Sequence, residues 1–89
     1  MPIFADITSV KMKHDYNSDE KIILENFGAR LRSLREARGL SQEQLAFNCG
    51  LDRTYVGSVE RGERNISLIN IKRLAASLDV KVEELLTGI

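Results

Sequence analysis

The residue types best able to do chemistry in this chain lie between Gln42 and Arg61. Ala46 is small enough to let two helices cross closely, and Gly50, four residues on, suits a sharp turn with positive φ. Leu45, Cys49, Leu51, Val56 and Val59 are apolar at the places that would fill the angle between those helices. Two short helices meeting steeply through a glycine-containing turn make a helix-turn-helix, whose second helix fits the DNA major groove. With Val56 and Val59 turned inward, Arg53, Thr54, Tyr55 and Ser58 fall on the exposed face of that second helix. Gln42 starts the first helix, where its amide and the free backbone N–H groups suit a phosphate. Arg61, Arg64 and Asn65 follow the second helix and are expected at backbone phosphates. The plainer alternatives are a solvated helix face, a glutamine serving only local capping, and solvated arginines.

Other chemistries find no support. Cys49 is the only cysteine, so an intramolecular disulfide and a cysteine-cluster zinc site are excluded. Its place in the motif predicts a small buried hydrophobe rather than a redox switch. His14 stands alone in a polar stretch, without visible partners for metal ligation or base catalysis. No Ser/His/Asp set, phosphate loop or paired-carboxylate motif stands out. Glu83 and Glu84 suit the N-terminal end of a helix. No enzyme, cofactor or metal is expected.

The elements that must position these residues follow from spacing and caps. Residues 1–17 have loosely helical apolar positions, Ile3, Phe4, Ile7 and Val10, but no clear period, and form an expected N-terminal arm. Asn17-Ser18-Asp19-Glu20 is a helix start. Leu24, Phe27, Leu31 and Leu34 then share one helix face, with Arg30, Arg32, Arg35 and Arg38 among them, until Gly39 stops the helix. Ser41–Gln44 is a capping box for a second helix that Gly50 breaks. Asp52 caps a third, ending near Gly62. Ser67 caps a fourth, with Leu68, Ile71, Leu74, Ala75 and Leu78 at helical spacing. A short fifth holds Val82, Leu85, Leu86 and Ile89. The predicted fold is a compact all-α, five-helix domain over residues 18–89.

Eighty-nine residues suffice for one such domain, and 43% apolar with 29% charged residues is an ordinary globular composition. No apolar run approaches a membrane span, and no secretory signal pattern opens the chain, so a cytoplasmic location is expected. Thirteen basic and thirteen acidic residues balance, which by itself speaks against a nucleic-acid binder. The balance is uneven along the chain. Residues 1–20 carry a net −2 and residues 21–64 a net +2, so a mildly basic reading face accompanies an acidic arm.

Residues 24–86 resemble the lambda-repressor-like, or Xre-type, helix-turn-helix regulators of bacteria and phages. The resemblance rests on Leu-Arg-x-x-Arg-x-x-x-Gly-Leu (31–40), Ser-Gln-x-x-Leu-Ala (41–46), Gly50 and Val-Gly-Ser-Val-Glu-Arg-Gly (56–62). It continues through Leu74-Ala75 and Val82–Leu86. Within the family, Leu51–Tyr55 with Glu60-Arg61 and Arg64-Asn65 is similar to the controller proteins of restriction–modification systems. The resemblance implies that Arg53, Thr54, Tyr55 and Ser58 face the bases. Arg53 would bridge guanine O6 and N7, a contact worth about 1–3 kcal/mol of discrimination. It also implies a partly buried salt bridge between Arg35 and Glu60. Two positions depart from the family pattern: Asp79 replaces a common glycine after the fourth helix, and Lys81 replaces a capping Ser or Thr.

Leu78, Val80, Val82, Leu85, Leu86 and Ile89 offer more apolar surface than a last short helix needs, and predict a two-fold dimer through this end. Such a dimer sets two recognition helices about 34 Å apart on operator DNA with paired half-sites. The expected function is that of a dimeric, sequence-specific transcription regulator without an effector domain, acting as a restriction–modification controller. RNA polymerase is a candidate further partner, through exposed positions such as Glu43 or Arg61. The alternatives are a phage or antitoxin-type repressor, and a protein-interaction adaptor that keeps the fold without binding DNA.

Overall fold

A computed structural model describes residues 15–89. Most of the expected arm, including Ile3, Phe4, Ile7, Val10 and His14, lies outside the described residues. The elements are α1 (Ser18–Ala37), α2 (Gln42–Cys49), α3 (Arg53–Glu60), α4 (Leu68–Leu78) and α5 (Val82–Leu85), with no strand among the described residues.

Each helix begins where a side chain satisfies otherwise orphaned N–H groups. Asn17 accepts from the Glu20 N–H at 2.9 Å, while the Glu20 carboxylate accepts from the Asn17 N–H at 3.0 Å. Ser41 and Gln44 repeat this box at α2. Asp52 accepts from the Thr54 N–H and Ser67 from the Asn70 N–H, both at 3.2 Å. At α5 the Lys81 side chain supplies no cap, and the Glu84 carboxylate instead accepts from the Lys81 N–H at 3.1 Å. Helix ends follow the expected breakers. Gly50 (φ 70°) closes α2, and Asp79 takes the left-handed conformation (φ 56°) that a glycine often supplies.

Helix α1 packs on α3 and α5, α2 packs on α3 and α4, and α4 packs on α5. Ten apolar residues fill the space between them: Phe27, Leu31, Leu45, Ala46, Val56, Val59, Leu74, Ala75, Leu78 and Leu85. Gly28 lets α1 approach α3 closely, since a Cβ there would collide with the carbonyl oxygens of Val59 and Glu60.

The C-terminal apolar set behaves differently from its expected role as a dimer face. Leu78 and Leu85 are wholly enclosed, and Val80 and Val82 pack against the same core. Only Leu86 and Ile89 remain exposed. The turn at Asp79 folds α5 back on α1 and α4, and that contact absorbs the surplus apolar surface.

Candidate nucleic-acid interface

Helix α3, the expected recognition helix, is held by a buried polar cluster. The Arg35 guanidinium donates to both Glu60 carboxylate oxygens, at 2.6 and 2.9 Å, and its third contact is the Leu40 carbonyl at 2.8 Å. The two side chains are 10% and 3% exposed, and the Glu60 hydrogen bond pushes the Arg35 pKa further up. A bidentate pair of this kind fixes the rotation of one helix about another as well as their separation. The Gln42 amide joins it, donating to Glu60 at 2.9 Å. Thus Gln42, expected at a phosphate or in local capping, links the start of α2 to the end of α3.

The expected exposed face of α3 is present in part. Arg53 and Thr54 project from its first turn into solvent, and Arg53 makes no hydrogen bond or ion pair among the described residues. Tyr55 is half-buried against the core. Its hydroxyl accepts from the Asn70 amide of α4 at 3.2 Å, and the Arg64 guanidinium lies over its ring, 5.5 Å from the centroid.

Ser58 does not lie on that face. It is 5% exposed, and its hydroxyl donates to the Tyr55 carbonyl at 2.8 Å. The chain after α3 turns back over this side of the helix, with the Glu63 N–H donating to the Ser58 carbonyl at 2.9 Å. Gly57 is buried as well, covered by the side chains of Arg61 and Gln42. A Cβ there would meet Arg61 at 3.3 Å and Gln42 at 3.4 Å, so these two candidate phosphate ligands converge above it. Arg53, Gly57 and Arg61, four residues apart, therefore share one strip that runs along α3 to its C-cap, with Gly57 covered in the middle of it.

The remaining candidates lie around this strip. Arg61 is exposed and paired with Glu63 at 3.0 Å; that hydrogen bond raises the Arg61 pKa and lowers that of Glu63. Arg64 is exposed, and Asn65 lines a shallow groove with Tyr16, Glu20, Ile23 and Leu24 at the start of α1. Cys49 is half-buried, its Sγ 3.7 Å from the Ala46 carbonyl, and burial pushes its thiol pKa up, as suits a packing role. No metal-ligating cluster occurs among the described residues, and no helix there is long and apolar enough to cross a membrane.

The family model for helix-turn-helix domains matches residues 31–85, from the middle of α1 to the end of α5. The chain belongs to the helix-turn-helix family. Its relatives place it among the restriction–modification controllers. It is 46% identical to control protein C.BamHI of Bacillus amyloliquefaciens over 61 residues, 67% of this chain and 75% of that one. The crystal structure of the restriction–modification controller protein C.AhdI from Aeromonas hydrophila is 64% identical, with a TM-score of 0.69, covering 70% of this chain and 94% of that one. A third relative, the controller protein C.Esp1396I, was solved as a tetramer in complex with its natural 35 base-pair operator. It is 27% identical, with a TM-score of 0.63, over 73% of this chain and 96% of its own.

Sequence reasoning missed several residues of the helix-turn-helix scaffold. Arg38 donates to the Leu78 and Asp79 carbonyls (2.7 and 3.2 Å), and Arg30 to the Glu84 carbonyl (2.7 Å). Both close helix ends that are remote in sequence, a role no local spacing signals. Asn70 was also missed, although one signal was available. It occupies the third position after the Ser67 cap, where a Glu or Gln would reach back to complete a box. An asparagine is too short for that, which leaves its amide free for a tertiary partner.

Proposed function

We propose that this chain is a sequence-specific transcription regulator that binds operator DNA as a homodimer and controls a restriction–modification system. The observation that carries this reading is Arg53: an exposed guanidinium, unpaired among the described residues, on the first turn of a helix that a buried ion pair holds in place. Arg53 and Thr54 read base edges, with Tyr55 beside them. Gln42, Arg61, Arg64 and Asn65 meet backbone phosphates and set the register. The chain works by binding alone, without a catalytic step, and in the cytoplasm where its DNA is. The relatives support this reading, above all the one whose structure holds its operator.

The homodimer forms through apolar side chains the fold leaves uncovered. Leu68 and Ile69 are 75% and 67% exposed at the N-terminal end of α4, directly before Asn70, which touches α3. The arrangement this reading requires is a two-fold axis beside them with both copies of α3 on one side of the dimer, facing paired half-sites.

Footprinting on the DNA upstream of the gene, at stated salt, tests the reading. Two protected half-sites spaced by about one helical turn, about 34 Å, are expected. Absence of any sequence preference at low salt overturns it and favours an adaptor that keeps the fold without reading DNA. Leu68→Asp with Ile69→Asp is expected to give a monomer by sedimentation that occupies single half-sites weakly.

A further inference from the structure

The surroundings of Tyr55 fix which kind of group it can recognise. A phenol oxygen can donate one hydrogen bond and accept others. Its O–H prefers the ring plane, where conjugation leaves two positions on opposite sides of the oxygen. The Asn70 side-chain N–H donates to that oxygen at 3.2 Å and so fills one side as an acceptor site. The O–H proton is left on the other, directed away from α4. The proton does not swap sides by rotation about the C–O bond while Asn70 holds the first, because the O–H would then point at the Asn70 N–H, donor against donor.

We propose that Asn70 is a positioning residue that makes Tyr55 an obligate hydrogen-bond donor, so that Tyr55 recognises an acceptor on the DNA. The inference rests on the DNA-reading function proposed above and assigns the polarity of one of its contacts. In the major groove, guanine N7 and O6, adenine N7 and thymine O4 are acceptors, whereas cytosine offers only its amino donor. Tyr55 in this state therefore disfavours cytosine at the base it meets. A phosphate oxygen is an acceptor too, and the same polarity suits it.

Asn70→Asp tests the polarity. A carboxylate at this position accepts the phenol proton, turns the free side of the oxygen into an acceptor, and removes the donor from the DNA side. The probe is the set of duplexes that the wild-type protein selects from a randomised pool at fixed salt. Asn70→Asp and Tyr55→Phe are each expected to weaken binding to the selected duplex about tenfold, the loss of one contact to DNA. Adding Asn70→Asp to Tyr55→Phe is expected to cost nothing more, because Asn70 acts through the phenol oxygen. Repeating the selection with Asn70→Asp separates the two acceptors. A base-edge acceptor moves the preference at one position per half-site toward cytosine or adenine. A phosphate acceptor leaves the preference unchanged, and one methylphosphonate in the duplex reproduces the loss.

Thermal melting of each variant checks that the helix-turn-helix stays folded at the assay temperature. An Asn70→Asp variant that is folded and binds like the wild type overturns the inference, as does further loss in the double variant. If no sequence emerges from the pool, the DNA-reading function itself fails, which is a different result from either.

Discussion

Arginine does two kinds of work in this molecule, and the contrast between its two settings is instructive. In α1 and at its C-cap, Arg30, Arg35 and Arg38 turn onto acceptors of the fold: the Glu84 carbonyl, the Glu60 carboxylate and the carbonyls that close α4. On α3 and the loop after it, Arg53 projects into solvent with no hydrogen bond or ion pair among the described residues, where Arg64 touches only the face of an aromatic ring. The net +2 of residues 21–64 therefore overstates the charge available to a polyanion, since most of these guanidiniums are already hydrogen-bonded. Loose electrostatic attraction is weak in such a protein. Specific affinity depends on a few well-held contacts and on the pairing of subunits.

The largest effect is expected where an inward arginine is lost. Arg35→Ala leaves the Glu60 carboxylate buried with only Gln42 to answer it, a loss of about 3–5 kcal/mol of stability in denaturant unfolding. Base preference should survive in whatever fraction remains folded. An unchanged unfolding midpoint would put Arg35 in the same class as the outward arginines.

Arg53→Ala should do the reverse. Stability stays within about 0.5 kcal/mol, as for an exposed site, while discrimination at one base position per half-site falls by about 1–3 kcal/mol. Competition binding over all four bases measures it, and an unchanged preference would remove Arg53 from the reading face.

Arg38→Ala sharpens the contrast at smaller amplitude. It opens the C-terminal carbonyls of α4 to water on an exposed side, for about 1 kcal/mol of stability and no change in base preference. The smallest effect concerns Arg61, which stands between the two settings because it is exposed yet paired with Glu63. Glu63→Gln releases it, and the salt dependence of DNA binding should steepen by about one unit at nearly constant stability.

The two apolar ends of α4 repeat this lesson. Leu78, Val80, Val82 and Leu85 look like surplus hydrophobic surface when counted along the chain, yet they are core or pack against it. Leu68 and Ile69 look like ordinary helix residues, yet they are among the most exposed apolar side chains described. Helical spacing assigns a residue to a face, but which face meets another helix depends on how the chain turns between them.

Local signals in the sequence determined the five helices and their caps at Asn17, Ser41, Asp52 and Ser67. These depend on neighbours a few residues away, which a sequence displays directly. The Arg35–Glu60 pair was also legible, through resemblance rather than spacing. Only the tertiary structure decided that Ser58 is covered, that Gln42 belongs to the buried cluster, that Asn70 holds Tyr55, and that Leu78 and Leu85 are core. Each of these depends on a partner from another helix or on a loop folding back over the site. Burial and hydrogen-bond partnership are set by the crossing of helices, and no periodicity within one helix encodes that crossing.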